Sequence, residues 1–195
     1  AYYDKKMPWG NERIYYPFSD KLIKVISTSV NDTSVQFHPL KSEYWYPLKK
    51  SCVYDGNNWI DVDVSDCVKI KNNSIHCMKK SGLVFEIQDN NIFDHRETMR
   101  LYDINGRNTD NEGELYKYLM PQFRNKLEVC KYETEIGDYS DKFLFIIDGK
   151  AILKLNGEYI NLKPHTLYYI DRDIVNSLDM KGNVVLTDIH YYKYE

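Results

Sequence analysis

Several features are missing from this chain of 195 residues, and each absence closes a possibility. No stretch approaches the roughly 18 uninterrupted apolar residues of a membrane-spanning helix. The mean hydropathy of -0.59 agrees, and no membrane association is expected. The opening Ala1-Tyr2-Tyr3-Asp4-Lys5-Lys6 lacks the apolar core of a signal peptide, so the expected location is the cytoplasm. The cysteines Cys52, Cys67, Cys77 and Cys130 contain no C-x-x-C spacing, which argues against a zinc ribbon or thioredoxin-type motif and for free thiols. There is no basic stripe. The net charge is -3, the pI is about 6.0 and the two signs are interspersed, so a nucleic-acid surface is not expected.

What is present is a repeating period of two. With 43% hydrophobic and 14% aromatic residues the chain can fill a packed core, as one large domain or two small ones. Residues 21–27 read as a strand, and Asp55-Gly56 joins strands 51–54 and 59–64 as a hairpin. Further strands are expected at 67–70, 74–78 and 83–88. Residues 89–110 are polar and aperiodic, the pattern of a functional loop. Residues 111–124 carry Leu115, Tyr118 and Leu119 at helical spacing and end near Pro121. Strands resume at 126–135 and 143–147. Asp148-Gly149 and Asn156-Gly157 then predict two consecutive hairpins around 150–155, followed by strands at 167–170 and 184–190. The expected class is all-β, with two small β units: residues 1–110, and 126–195 after a short helical linker at 111–125.

One stretch departs from harmless alternation. In Val35-Gln36-Phe37-His38-Pro39-Leu40-Lys41-Ser42-Glu43 the polar positions hold an amide, an imidazole, an ammonium and a carboxylate. Gln36 and His38 are two apart, so on a strand they share a face, about 7 Å apart at their base. An antiparallel partner strand would bring the Glu43 carboxylate back across from His38. His76 is the candidate fourth ligand, from a later strand. Imidazole with carboxylate suits zinc, and also manganese, iron, nickel or cobalt. In the second half, His165 and His190 stand alone and read as surface or core residues rather than ligands.

These residues resemble motifs of the cupin superfamily, and within it the type I mannose-6-phosphate isomerases. Met7-Pro8-Trp9-Gly10 is similar to that family's K-P-W-G, Gln36-Phe37-His38-Pro39 to its Q-x-H-P, and Lys41-Ser42-Glu43 to its K-x-E. Asn73-Ser74-Ile75-His76, running on to Gly82–Gln88, resembles G-T-I-H and the strand after it. Thr98-Met99-Arg100-Leu101-Tyr102-Asp103 resembles T-x-R-x-Y-D. The motifs occur in the family's order over residues 5 to 107, and the tail from Leu127 resembles the second half of such enzymes. The resemblance implies a double cupin, two small barrel or jelly-roll units, whose first half holds a divalent ion on Gln36, His38, Glu43 and His76 and whose second is metal-free. Zinc is the ion typical of the family.

The implied activity is interconversion of an aldose and a ketose phosphate, mannose 6-phosphate to fructose 6-phosphate or a close relative, through an enediolate. Arg100 and Lys41 would be the catalytic and substrate-binding cations, with Glu97 also at the substrate. The alternative is a cupin sugar-binding or regulatory module that keeps the metal but has no turnover. In this chain Q-x-H-P and K-x-E are fused within a single turn, where the family carries a long insertion. The His-x-His pair usual in oxygenase cupins is replaced by Gln36-x-His38, which disfavours iron oxygenase chemistry.

Overall fold

Tyr2–Met7 (β1) and Gly10–Tyr15 (β2) form an antiparallel hairpin around Pro8-Trp9, with Met7 opposite Gly10. No Asn-Gly or Asp-Gly marks this turn, and the alternation in β1 is masked because its residues face solvent. The computed structural model describes residues 2–15, 21–89, 125–134 and 140–189, and the backbone of 99–102. The strands that follow are β3 (Leu22–Ser27), β4 (Val35–Phe37), β5 (Glu43–Pro47), β6 (Ser51–Tyr54), β7 (Trp59–Val62), β8 (Asp66–Ile70), β9 (Cys77–Met78), β10 (Leu83–Gln88), β11 (Met99–Tyr102) and β12 (Glu128–Lys131). After them come β13 (Lys142–Leu155), β14 (Glu158–Asn161), β15 (Leu167–Ile170) and β16 (Leu178–Asp188). The described helical content is one 3-10 turn, Val175–Ser177. The expected helical linker at 111–125 lies outside the described residues apart from Asn125, and the expected substrate loop at 89–110 apart from Asp89 and β11.

The chain divides into two compact units, Ala1–Pro17 with Lys21–Cys130, and Phe18–Asp20 with Lys131–Glu195. In the first, seven strands form one sheet in the order β1-β2-β3-β10-β5-β8-β12. Two smaller sheets, β7-β6-β9 and β11-β4, accompany it. Ile26, Trp45, Val68, Ile70 and Val84 from the large sheet pack with Val53, Val62 and Met78 from the three-stranded one. Alternation explains this sharing of a core, since every second side chain of each strand points to the same face. The described sheets stay open, so the unit is a sandwich rather than a closed barrel.

The second unit is built on β13, whose fourteen residues pair along their length with β16 and, in turn, with β15 and β14. Leu144, Ile146, Ala151, Ile170, Val175 and Val184 form its separate core. One of the two hairpins expected here is a continuous strand. Asn156-Gly157 does reverse the chain between β13 and β14, but Asp148-Gly149 does not. The strand runs through it with a register shift between Ile146 and Asp148. Gly149 instead serves close approach: a Cβ there would lie 2.1 Å from the Lys181 carbonyl oxygen, and its φ is +146°. The same dipeptide signal can mark a bulge as well as a turn, and the long partner β16 keeps the strand extended.

Candidate metal centre

Three donors named from the sequence come together in the first unit. His38 follows β4, Glu43 opens β5, and His76 lies just before β9. One ligand atom from each falls within 4.8 Å of the others, and all three residues are buried. His38 Nε2 stands 2.9 Å from Glu43 Oε1, and His76 Nε2 stands 3.8 Å from Glu43 Oε2. The imidazole rings lie 5.1 Å apart. The expected pairing of the His38 and Glu43 strands is not what brings them together. β4 belongs to the small sheet with β11, whereas β5 lies between β10 and β8 in the large one. The link over 39–42 carries the chain from one sheet to the other, so the carboxylate meets His38 from a different sheet. His76 is brought in by backbone: the Gln36 N–H donates to its carbonyl (3.1 Å) and its N–H to that of Gln36 (2.9 Å).

The protonation pattern tests whether this set suits a cation. His76 Nδ1 is 2.8 Å from the Ser74 carbonyl oxygen. A carbonyl only accepts, so Nδ1 carries the proton and Nε2 presents a lone pair. That lone pair is buried with no hydrogen-bond partner and faces a carboxylate oxygen. Two acceptors so placed are costly to bury unless a cation lies between them. Burial pushes His76 down to about 4 against the opposing pull of Glu43, so the ring is neutral at pH 7. Burial alone would raise Glu43, but His38, then His76 and a hydrogen bond from Glu86, outweigh it and hold the carboxyl well below its usual range. A neutral imidazole and an ionised carboxylate are the forms that bind a divalent ion. The set is a possible His/Glu/His metal site, and its nitrogen and oxygen donors fit zinc and its first-row neighbours.

Around it runs a buried polar network, of which only Lys41 was expected as a functional residue from the sequence. Lys41, 8% exposed, donates from Nζ to Gln88 Oε1 (3.1 Å) and stands 3.7 Å from Glu43 Oε1. Gln88 Nε2 donates to Glu86 Oε2 (3.1 Å), and Trp45 Nε1 to Glu86 Oε1 (2.9 Å). The register makes this possible, because Glu86 and Gln88 of β10 stand opposite Trp45 and Glu43 of β5. Burial, reinforced by the charge of Glu43, raises Glu86 strongly, so it stays a neutral acid and can donate to Glu43. Trp45 also meets the His76 ring edge-on at 5.5 Å. The available signal was in Leu83-Val84-Phe85-Glu86-Ile87-Gln88 itself. A strand apolar on both faces leaves its carboxyl and amide no route to water, so they must be paired inside.

The remaining candidates are placed as follows. Gln36 stands next to the cluster, and its amide oxygen accepts a hydrogen bond from Ser34 Oγ (3.0 Å). Arg100 lies on β11 directly across from Gln36 in the backbone register. Glu97 lies outside the described residues, as does His190. His165 is exposed, stacks on Phe145 and points Nε2 at the Ile147 carbonyl (3.1 Å).

The all-β sandwich enclosing a histidine and carboxylate cluster is consistent with the cupin fold, and comparison with known structures shows that fold. The mannose 6-phosphate isomerase from Bacillus subtilis superimposes with a TM-score of 0.65 at 13% identity, over 95% of this chain and 96% of that one. A mutant oxalate decarboxylase from Bacillus subtilis matches with a TM-score of 0.56 at 10% identity, covering 98% of this chain and 76% of that one. At such identities the likeness establishes the fold. No protein-family model matches the chain, and no curated protein matches its sequence. No helix among the described residues is long and apolar enough to cross a membrane.

Proposed function

We propose that this protein is a cytoplasmic, metal-dependent isomerase of a phosphorylated sugar, converting mannose 6-phosphate to fructose 6-phosphate or acting on a close relative. The observation that carries the reading is the buried His38–Glu43–His76 cluster with Lys41 at its edge, in a chain covered over nearly its whole length by an isomerase of that kind. The decarboxylase neighbour shares the fold, so fold alone does not choose the chemistry. The choice rests on the ordered motifs, three of which, Q-x-H-P, K-x-E and the segment ending in His76, supply the cluster.

In this reading His38, Glu43 and His76 hold the ion with Gln36 as the fourth ligand, most suitably zinc. When bound, the ion supplies Lewis acidity toward a substrate carbonyl. The chain's own groups do the rest. Lys41 would offer its side-chain nitrogen to substrate oxygens. Arg100, across from Gln36 on β11, suits the oxyanion that develops as a proton moves between C1 and C2, because its planar fork stays charged throughout. Glu97, shortly before β11 in the sequence, would be a further substrate-binding group. Neutral Glu86 donates to Glu43 and fixes its orientation, as second-sphere partners of metal ligands do.

The test is metal analysis coupled to an isomerase assay on wild type and His76→Ala. About one bound divalent ion per chain and turnover of mannose 6-phosphate are expected, and both should be lost in the variant. Metal-loaded wild type that converts no aldose phosphate sinks the isomerase. Sugar binding in calorimetry without turnover would establish the binding module instead.

A further inference from the structure

The two histidines are held by one tight turn. Ser74 N–H donates to the Lys71 carbonyl (3.1 Å), closing a four-residue turn whose third residue, Asn73, has φ +62°. Positive φ at that position is the mark of a type II turn, and asparagine is among the few side chains that adopt it readily. The turn's polar groups then reach both histidines. Asn73 N–H donates to the His38 carbonyl (2.8 Å), and the Ser74 carbonyl accepts from His76 Nδ1 (2.8 Å). Asn72 braces the neighbouring peptide, donating from Nδ2 to the Pro39 carbonyl (3.3 Å), while its own carbonyl accepts from Asn125 Nδ2 (2.7 Å). The Asn73 side-chain oxygen, by contrast, is buried without a hydrogen-bond partner. What this position supplies is therefore its backbone angle.

We infer that Asn73 is a positioning residue for the metal centre: its left-handed backbone aims one N–H at the His38 peptide and turns the Ser74 carbonyl onto the His76 ring, fixing that ring's tautomer and the spacing of the pair. This rests on the metal reading above and deepens it. Lining up a ligand histidine through its other nitrogen is worth tenfold or more in metal affinity where it has been disrupted. A β-branched residue at Asn73 cannot hold positive φ without strain, whereas glycine holds it freely and lacks only a side chain whose oxygen makes no hydrogen bond.

The test compares Asn73→Gly, Asn73→Ala and Asn73→Val, with Asn156→Val as control. Asn156 also has positive φ (+51°) but sits in the β13–β14 hairpin of the other unit, so it reports backbone strain without any link to the histidines. Two quantities are read: zinc affinity by competition with a chromophoric chelator, and the His76 tautomer by long-range nitrogen–proton NMR on metal-free protein. Asn73→Gly should match wild type within about twofold in affinity. Asn73→Val should lose about ten- to a hundredfold, with the Nδ1-protonated signature weakened, and Asn73→Ala should fall between. Asn156→Val should leave both readouts unchanged. Equal affinities and an unchanged tautomer across the Asn73 series would overturn the inference, as would an equal loss in Asn156→Val. If wild type binds no zinc, the metal reading fails by itself. The tautomer series on metal-free protein then decides the positioning role.

Discussion

Glu86 shows how much one residue's neighbours decide. In water its carboxyl would be ionised at pH 7, yet here burial beside ionised Glu43 keeps it neutral, and in that form it receives Trp45 and Gln88 and donates to Glu43. Removing it by Glu86→Ala strands the indole and amide N–H groups in a dry interior, which costs about 1–3 kcal/mol. Glu86→Gln keeps a carbonyl for Trp45 and an N–H for Glu43 but leaves Gln88 Nε2 without its acceptor, so it should cost less than Glu86→Ala, by about 1 kcal/mol. Urea unfolding of both variants checks this. Equal losses would mean that Glu86 is not the neutral acid described here. Residue identities at the ligand cluster were legible from sequence because His and Glu stand where inert side chains suffice. Glu86 and Gln88 were not singled out, because their role depends on register with β5, which no local pattern reveals.

Among the elements, β13 carries the second unit. Its midpoint, Gly149, lies opposite Gly182 of β16, and a Cβ on either would enter the other strand's backbone, at 2.1 Å from the Lys181 oxygen or 2.5 Å from the Asp148 oxygen. Gly149→Ala should therefore destabilise the second unit by about 1–3 kcal/mol, by overpacking and strain combined. Thermal unfolding followed by hydrogen exchange of peptides from 142–155 would register it. An unchanged profile would mean that the two strands can part at this point without cost. Strands 83–88 and 167–170 match the expected bounds, because clean alternation or a short apolar run bounded by polar residues sets them. The β1–β2 hairpin was missed because neither of its signals was present: β1 is exposed, and its turn is Pro8-Trp9.

For the whole molecule, the two units have separate apolar cores, and the described ligand cluster lies wholly within the first. A ligand stabilises only what it binds, by about 2.7 kcal/mol at a concentration 100 times Kd. Zinc should therefore slow hydrogen exchange in peptides spanning 35–45 and 72–88 and leave those within 142–188 unchanged. Comparable protection in both regions would show that the units unfold as one cooperative body.

The sequence by itself determined the β class, the places where most strands lie and the chemical kinds of donor available, since alternation and side-chain chemistry are local properties. It did not determine that Asp148-Gly149 extends a strand, that His38 meets Glu43 from a different sheet, or that Glu86 remains protonated. Those follow from which strands become neighbours and how deeply they are buried. Hydrogen-bond register, desolvation and the charge of groups far apart in the chain exist only once the sheets have formed.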